Sequence, residues 1–389
     1  MRKTFTLNTL AAAVMLAGSG SALAIDAASM KLGAMNFTPT LELSERYDDN
    51  FRETGGNEES SWITTIKPTF ELAAQDRLNI YKLTYSFNSE IFHSSQDDNN
   101  TDHHLDADAH MEFSARSRLD LNVGYDKMED VADTEVEGTN DKYHTYNIGG
   151  VYGYGAESAT MQFELGANQE WKRYDNKGGI NADMERDTLS LGATAYYRLA
   201  PKTRALAEIR YNDYDYKLAS STLNSDAMAY LLGVTWDATA KTSGTAKVGY
   251  EKKDFDSAAR EDADNSMWEV GVTWKPRSYS AFTLNTRRGL DEGSDGADGE
   301  DYIETTRTSL NWNHEWSSYL SSDVNYAFTD EQYETDREDE TSEFAIGLNY
   351  DLRRWATVGV GYKYKDVDSN VASERYDNNV YQVKLTMGL

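Results

Sequence analysis

Three histidines beside an acidic stretch are the side chains best suited to metal or acid–base chemistry. His103, His104 and His110 lie close together, but His103 and His104 are adjacent and would point to opposite sides of a strand. No second cluster with the spacing of metal ligands accompanies them, and the chain contains no cysteine. We therefore predict no metal site and no cofactor.

Two other patterns suggest calcium binding and nucleophilic catalysis, but neither contains all the residues that such a site needs. The segment DEGSDGADGED (291–301) is acidic and glycine-rich, but its spacing differs from a calcium-binding EF-hand loop. A looser role remains for it, in which divalent cations bridge acidic loops to lipid phosphates. Serines are abundant, but none lies in a nucleophile motif. We predict that the protein is not an enzyme; the alternative is a hydrolase whose site is divided among several loops.

The first residues indicate export from the cytoplasm. The stretch 1–24 begins with Arg2 and Lys3, continues through an apolar run and ends in the small residues A-L-A at Ala24. This order is typical of a secretory signal peptide, and a buried N-terminal helix is the alternative. An exported chain without cysteines gains no stability from disulfides.

The composition excludes both a disordered chain and a helical membrane protein. The net charge is -28, yet aromatic residues make up 12% of the chain, and disordered acidic chains are poor in them. After the signal, no stretch approaches the roughly 18 apolar residues of a spanning helix. A polar average with many tyrosines fits alternating strands whose two faces meet different solvents.

Period-two alternation recurs along the chain. Trp236, Trp274, Trp312 and Tyr350 follow one another at intervals of 38 residues, each just before a short turn. We predict 18 strands, with 16 as the alternative, at 37–48, 61–73, 78–93, 103–115, 119–130, 142–155, 159–174, 184–199, 204–217, 225–237, 243–256, 265–275, 279–290, 303–316, 319–333, 341–352, 355–368 and 374–389.

Short and long connectors alternate between these strands, which favours an all-β fold: a transmembrane antiparallel outer-membrane β-barrel without a separate plug domain. A sheet can span lipid only if it closes, so the last strand, NVYQVKLTMGL, should pair with the first. A soluble β-sandwich or β-helix is the alternative. The predicted organisation is a signal peptide at 1–24, a short periplasmic segment at 25–36 and the barrel at 37–389.

The two faces of the strands predict a lipid surface and a water-filled lumen. Aromatic residues near the short turns would form an interfacial belt: Trp236, Trp274, Trp312, Trp316 and Tyr350. The opposite, polar face supplies candidates for the pore lining: Glu164, Tyr196, Glu208, Arg210, Lys247, Arg287, Arg307, Lys363 and Lys384. The basic members could contact a cargo, or the charges could pair across the lumen and only hold its shape. No loop is an obvious inward constriction.

Recurrent hairpins carry a family resemblance. GVTWDATAKTSGTAKVGYEKKDF, GVTWKPRSYSAFTLNTRRG, LNWNHEWSSYLSSDVNYAF and LNYDLRRWATVGVGYKYKDV resemble the outer-membrane β-barrel porins of exopolysaccharide gene clusters. The match is clearest over 225–369, and the terminal Leu389 departs from the phenylalanine usual in such barrels.

The resemblance implies a pore in the cell outer membrane that exports an exopolysaccharide, such as a biofilm polymer. It also implies work with a periplasmic polysaccharide export protein. A general or oligosaccharide-selective diffusion porin is the alternative. The expected partners are thus the polysaccharide cargo, that periplasmic protein and outer-membrane lipid or lipopolysaccharide, without nucleic acid.

Overall fold

The fold was analysed in a computed structural model, which describes residues 29–132, 134, 138–239, 241–293 and 302–388. The predicted signal peptide at 1–24, most of DEGSDGADGED and the terminal Leu389 lie outside the described residues.

Nearly all of the described chain is strand. The strands are β1 Met30–Leu32, β2 Met35–Asp48, β3 Ser61–Asp76, β4 Asn79–Phe92, β5 Asn100–Ser114, β6 Ser117–Asp130, β7 Asp141–Tyr154, β8 Met161–Tyr174, β9 Arg186–Ala200, β10 Thr203–Tyr216, β11 Ser225–Thr239, β12 Thr242–Phe255, β13 Ala263–Arg277, β14 Ser280–Glu292, β15 Tyr302–Ser317, β16 Leu320–Tyr333, β17 Glu338–Arg353, β18 Ala356–Ser369 and β19 Tyr376–Gly388. Single 3-10 turns lie at Gln96–Asp98, Lys177–Gly179 and Ala372–Glu374.

Strands β2 to β19 form one closed antiparallel barrel. Each pairs with the next along the chain, and β19 returns to pair with β2, with Val383 opposite Glu45 and Leu385 opposite Leu43. The predicted barrel of 18 strands is therefore confirmed, and no separate plug domain occurs within the described ranges. The segment expected at 25–36 includes β1, which pairs with the start of β2.

Alternation of side chains explains why these segments form strands. Leu165, Leu232, Val248 and Val360 are each at least half exposed on the outside, while their chain neighbours point into the barrel. Apolar residues outside and polar residues inside suit a sheet between lipid and water. No helix in the described residues is long and apolar enough to cross a membrane.

The two ends of the barrel differ. Short turns join β3 to β4 and each later hairpin on that side; we call this end the short-turn rim. The other end carries residues 49–60, 93–99, 131–140 and the later long connectors, and we call it the long-loop rim. Strands of 13 to 16 residues exceed the roughly 9–11 needed to span a bilayer, so the barrel extends beyond it.

Candidate pore

Inward-facing side chains make the lumen polar. Most predicted pore-lining residues lie on a strand beside an outward apolar or aromatic neighbour; Lys247 precedes the exposed Val248, and Glu164 precedes the exposed Leu165. Arg287 and Arg307 lie between other residues but in register with Glu269 and with each other, so they share the inner face. Because neighbouring residues of a strand point to opposite faces, these polar side chains face inward. A barrel of this strand number is wide enough for an aqueous channel.

Four charged residues of β10, β12 and β13 form one network in the lumen wall. Arg210 donates to Glu208 and, with a guanidinium nitrogen at 2.9 Å, to Glu269. The Lys247 ammonium lies 2.8 Å from Glu208 and 3.1 Å from Glu269. Each cation is therefore shared between the same two carboxylates, which satisfies charges that would be costly to hold unpaired.

The other predicted basic residues are also paired, with one exception. Arg287 makes two bonds of 2.9 and 2.6 Å to Asp291, and Arg307 lies 2.7 Å from Glu343. Lys363 lies 3.8 Å from the same Glu343. Lys384 has no ion pair within 4 Å among the described residues. Most of these cations thus hold the wall together rather than presenting free positive charge.

Glu164 and Tyr196 belong to a second network. Arg118 lies 2.6 Å from one oxygen of Glu164, and the Tyr196 hydroxyl donates to the other at 2.9 Å. Tyr196 is buried, with 6% of its surface exposed. Its ring is therefore packed into the wall, and its hydroxyl is engaged with Glu164.

Carboxylates concentrate on the inner face of β5 and β6, and we call this set the acidic strip. It comprises Asp102, Asp106, Asp108, Asp120 and Asp126. It has three cationic or protonatable partners: His104 lies 2.7 Å from Asp126, His110 lies 2.5 Å from Asp120, and Lys82 lies 3.7 Å from Asp108. His103 points outward to the Tyr85 hydroxyl, so the adjacent histidines do face opposite ways. No metal-binding group of His, Cys, Asp or Glu occurs in the residues the structure describes.

Uncharged amides line the opposite wall, towards the short-turn rim. We call this set the amide wall: Asn285, Asn311, Asn325, Asn349 and Gln382, on β14 to β19. Asn311 and Asn325 are direct cross-strand partners, and Gln382 lies opposite Gly361. The lumen face next to these amides carries three glycines, Gly347, Gly359 and Gly361. The Asp323 carboxylate lies over Gly347, and Asn349 and Lys384 lie over Gly359, whereas Gly361 leaves open space for water or a solute. Asn285, Asn311, Asn325 and Gln382 lay on the predicted polar face but were not singled out, and Asn349 was not predicted.

One long connector folds inward, although no loop was an obvious inward constriction in the sequence. We call residues 49–60 the mouth strap. Phe51 packs with Ile63 and Phe92, whose outward neighbours Trp62 and Ile91 are exposed, so this cluster lies inside the barrel. The Arg52 guanidinium donates a hydrogen bond to the Asp98 carboxylate in the next loop, at 2.7 Å, and so links the strap to that loop.

The strap is fastened to the last two strands. Glu53 accepts from the Lys365 ammonium at 2.7 Å and from the Tyr376 hydroxyl at 2.9 Å. Asn378 donates to the backbone oxygen of Asn50 at 2.7 Å. A Cβ at Gly55 would collide with the backbone of the 370–375 loop, so this position requires glycine. Sequence periodicity does not reveal these contacts, because they join residues more than 300 apart.

Charge contacts perturb the Glu53 carboxyl in this connector. Burial would raise its pKa, but the ammonium groups of Lys365 and Lys363 and the Tyr376 hydroxyl outweigh burial and hold the pKa below its ordinary value of 4.5. The carboxylate is therefore ionised at neutral pH, in the form that pairs with Lys365.

The predicted belt residues lie on the outer face near the short-turn rim. Trp274, Phe282 and Trp312 stack in a row with ring centroids 5.4 and 5.8 Å apart. Trp316 extends the row through His314, while Trp236 and Tyr350 lie near the same end of β11 and β17. Sequence analysis missed Phe282 and His314, which have the same outward phase as the residues it named, and also Trp355, which is exposed in the turn between β17 and β18.

A closed lipid-facing barrel with a polar lumen defines an outer-membrane β-barrel pore. Residues 23–388 match the family described as Putative beta-barrel porin 2, and the chain belongs to that family. Among curated proteins, none matches the chain.

Two solved structures support the fold, and a third has a weaker likeness. Pseudomonas aeruginosa OccK2 (OpdF) is 12% identical with a TM-score of 0.51, covering 91% of this chain and 98% of its own. The copper transporter OprC is 9% identical with a TM-score of 0.51, covering 92% and 82%. The Neisseria meningitidis FrpB iron transporter is 11% identical with a TM-score of 0.49; the match covers 85% of this chain but only 62% of that transporter. At these identities the likeness concerns the fold alone.

Proposed function

We propose that the barrel is a passive, non-enzymatic pore through which an exopolysaccharide leaves the cell, delivered by a periplasmic polysaccharide export protein. The observation that carries this proposal is the amide wall. Asn285, Asn325 and Gln382 have no side-chain hydrogen bond to another part of the described protein, so their amides remain available to the lumen. Amides donate to and accept from sugar hydroxyls.

The pairing of the lumen cations indicates which kind of polysaccharide the pore would carry. Free positive charge for sugar carboxylates is scarce, because Arg210, Lys247, Arg287 and Arg307 are neutralised by carboxylates. An uncharged or amino-sugar polymer suits this lining better than a polyanion. Each amide contact is weak, as a conduit requires, since tight binding at one place would prevent release.

Export is tested by obstructing the lumen beside the amide wall. Gly361 faces inward, and a Cβ there meets only one atom, at 3.6 Å, so a large side chain can enter the lumen. A deletion strain should lose surface polymer while retaining its synthesis enzymes. The wild type and Gly361→Ala should restore export, whereas Gly361→Trp should not. Export that persists in the deletion strain would reject the proposal.

A diffusion porin for small solutes is the second candidate, and the mouth strap favours it. Phe51, Arg52 and Glu53 occupy part of the mouth from inside, which restricts the passage of bulky chains. Liposome swelling with sugars of increasing length separates the two functions. Entry of short sugars only, with polymer export unaffected by deletion, would establish this candidate. The surface partner in either case would be lipopolysaccharide, bridged to the acidic loops by divalent cations.

A further inference from the structure

The short-turn rim carries a ring of exposed cations. They lie in or beside six of its turns: Arg77, Arg116, Lys202, Lys241, Lys275, Arg277, Arg353 and Arg354. Apart from Lys241, none of them lies within 4.0 Å of a carboxylate in the described part of the chain. Exposed carboxylates at this rim are fewer: Asp76, Glu112, Glu157, Asp237 and Glu315.

This pattern differs from that of the cations inside the barrel. Lumen residues such as Arg210 and Arg307 have carboxylate partners, and those contacts explain their presence. The rim cations other than Lys241 have no carboxylate partner of this kind among the described residues. The opposite rim is acidic in sequence, as in DNFRETGGNEES and DEGSDGADGED, so the excess of positive charge belongs to one end only.

Exposed apolar side chains lie beside these cations. Leu78 follows Arg77 and is 57% exposed, and Trp355 follows Arg354 and is 51% exposed. Tyr279 lies two residues beyond Arg277. Exposed Trp and Tyr at a barrel end lie at headgroup level. With about 3.3 Å per residue, a cation one or two positions away lies within roughly 3–7 Å of that level.

We propose that the short-turn rim binds the phosphates of anionic phospholipids in the adjoining leaflet. In outer-membrane barrels short turns face the periplasm, so this is the inner leaflet. Consecutive turns are two strands, or about 10 Å, apart, so the cations encircle the barrel. An annulus of lipids meets such a ring on every side, whereas a single acidic protein would cover one patch. Guanidinium groups suit the phosphate oxygens in particular, because their paired donors match them.

Lipid selectivity of the reconstituted barrel tests this assignment. The probes are spin-labelled phosphatidylglycerol and phosphatidylcholine in phosphatidylcholine vesicles that contain the complete mature chain. The wild type should prefer phosphatidylglycerol by several-fold. Neutralising four cations in Lys275→Gln, Arg277→Gln, Arg353→Gln and Arg354→Gln should reduce that preference at least twofold, and 1 M salt should reduce it likewise.

A matched control neutralises cations at the other rim. Lys177→Gln with Arg375→Gln should leave the preference unchanged, and heat-modifiable gel migration verifies that every variant is folded. Equal association of the two lipids with the wild type would overturn the proposal, as would an unchanged preference in the four-residue variant. If that variant instead loses binding of an acidic periplasmic protein while its lipid preference persists, the ring belongs to a protein partner and the lipid assignment is wrong. None of these outcomes depends on what the pore transports.

Discussion

Individual charges in the lumen are positioned by neighbours on strands up to three positions away in the barrel. Arg210 on β10 contacts Glu269 on β13, and Lys247 on β12 lies between Glu208 and Glu269. The pairs stabilise the inner wall and leave it close to neutral along these strands. A solute passing this wall therefore meets polar groups whose charges are already satisfied, while the acidic strip on β5 and β6 retains excess negative charge.

The ion pair of Glu53 predicts a mouth that opens in acid. The pKa of Glu53 is lower in the folded protein than its ordinary value of 4.5. The contact with Lys365 therefore stabilises the fold fully above about pH 4.5, and this stabilisation is lost as the pH falls through the lower folded pKa. The other charges near Glu53 are Lys363 and Asp48. Single-channel current through the purified barrel should rise as the pH falls through this lowered pKa, below 4.5, because the strap loosens.

A substitution separates the strap from other acid effects. Glu53→Gln should give the larger current already at pH 7 and should weaken the further increase in acid. Glu58→Gln in the same connector is the matched control, since no contact of Glu58 with another residue is found in the described chain. Identical pH profiles for Glu53→Gln and the wild type would show that the strap does not limit conduction.

The acidic strip predicts a preference for cations. Asp106 and Asp108 are inward carboxylates on one strand, and a wall of one sign concentrates ions of the opposite sign in a narrow aqueous passage. Reversal potentials in a salt gradient should show potassium favoured over chloride. Asp106→Asn with Asp108→Asn should reduce that ratio by about half. As a control, Asn311→Ser with Asn325→Ser should leave the preference for potassium unchanged, because these residues are uncharged. An unchanged preference after both aspartates are replaced would contradict the prediction.

The sequence was sufficient to predict where the strands of the barrel begin and end. Predicted limits agree with β2 to β19 to within three residues, since apolar residues outside and polar residues inside produce the same period in every strand. The closure of β19 on β2 followed from the need to pair every backbone group in lipid. The short β1 was missed because three residues are too few to show a period.

The mouth strap and the pairing of lumen charges were beyond such reasoning. Periodicity predicts that Arg307 faces the lumen, but not that Glu343, two strands away, lies at the same level along the barrel axis. That level is set by the register of the strands between them. The strap depends on Glu53 meeting Lys365, 312 residues later, after the barrel has closed. Contacts between loops that are far apart in the chain leave no periodic pattern in the sequence around either residue.

Opposite faces of a strand should differ in their tolerance of charge. Ile346 lies near the middle of β17 on the lipid side, and Asn325 lies on the lumen side of the neighbouring β16. Ile346→Arg should lower the free energy of unfolding in lipid by about 2–4 kcal/mol, the cost of a cation at the bilayer midplane. Asn325→Arg should change it by less than about 1 kcal/mol, because its side chain remains in water. Urea titrations of the reconstituted barrel measure both, and equal losses would place the lipid boundary elsewhere.

The whole molecule is polarised along its axis. The long-loop rim carries the acidic connectors, and the short-turn rim carries the exposed cations Arg77, Lys202 and Arg353 among others. Under the two proposals above, lipid phosphates would meet these ends differently, directly at the basic rim and through divalent cations at the acidic one. Both features require one orientation of the barrel in the membrane.

Cysteine labelling on intact cells tests that orientation. Asp336 lies in the loop between β16 and β17 at the long-loop rim, and Lys202 lies in the turn between β9 and β10. The chain has no native cysteine, so each introduced thiol reports alone. Asp336→Cys should react with an impermeant maleimide on whole cells, and Asp295→Cys, outside the described residues, should do the same. Lys202→Cys should react only after the outer membrane is permeabilised, because short turns of such barrels face the periplasm. Labelling of Lys202→Cys on intact cells, with Asp336→Cys protected, would invert the barrel and place the cation ring on the cell surface.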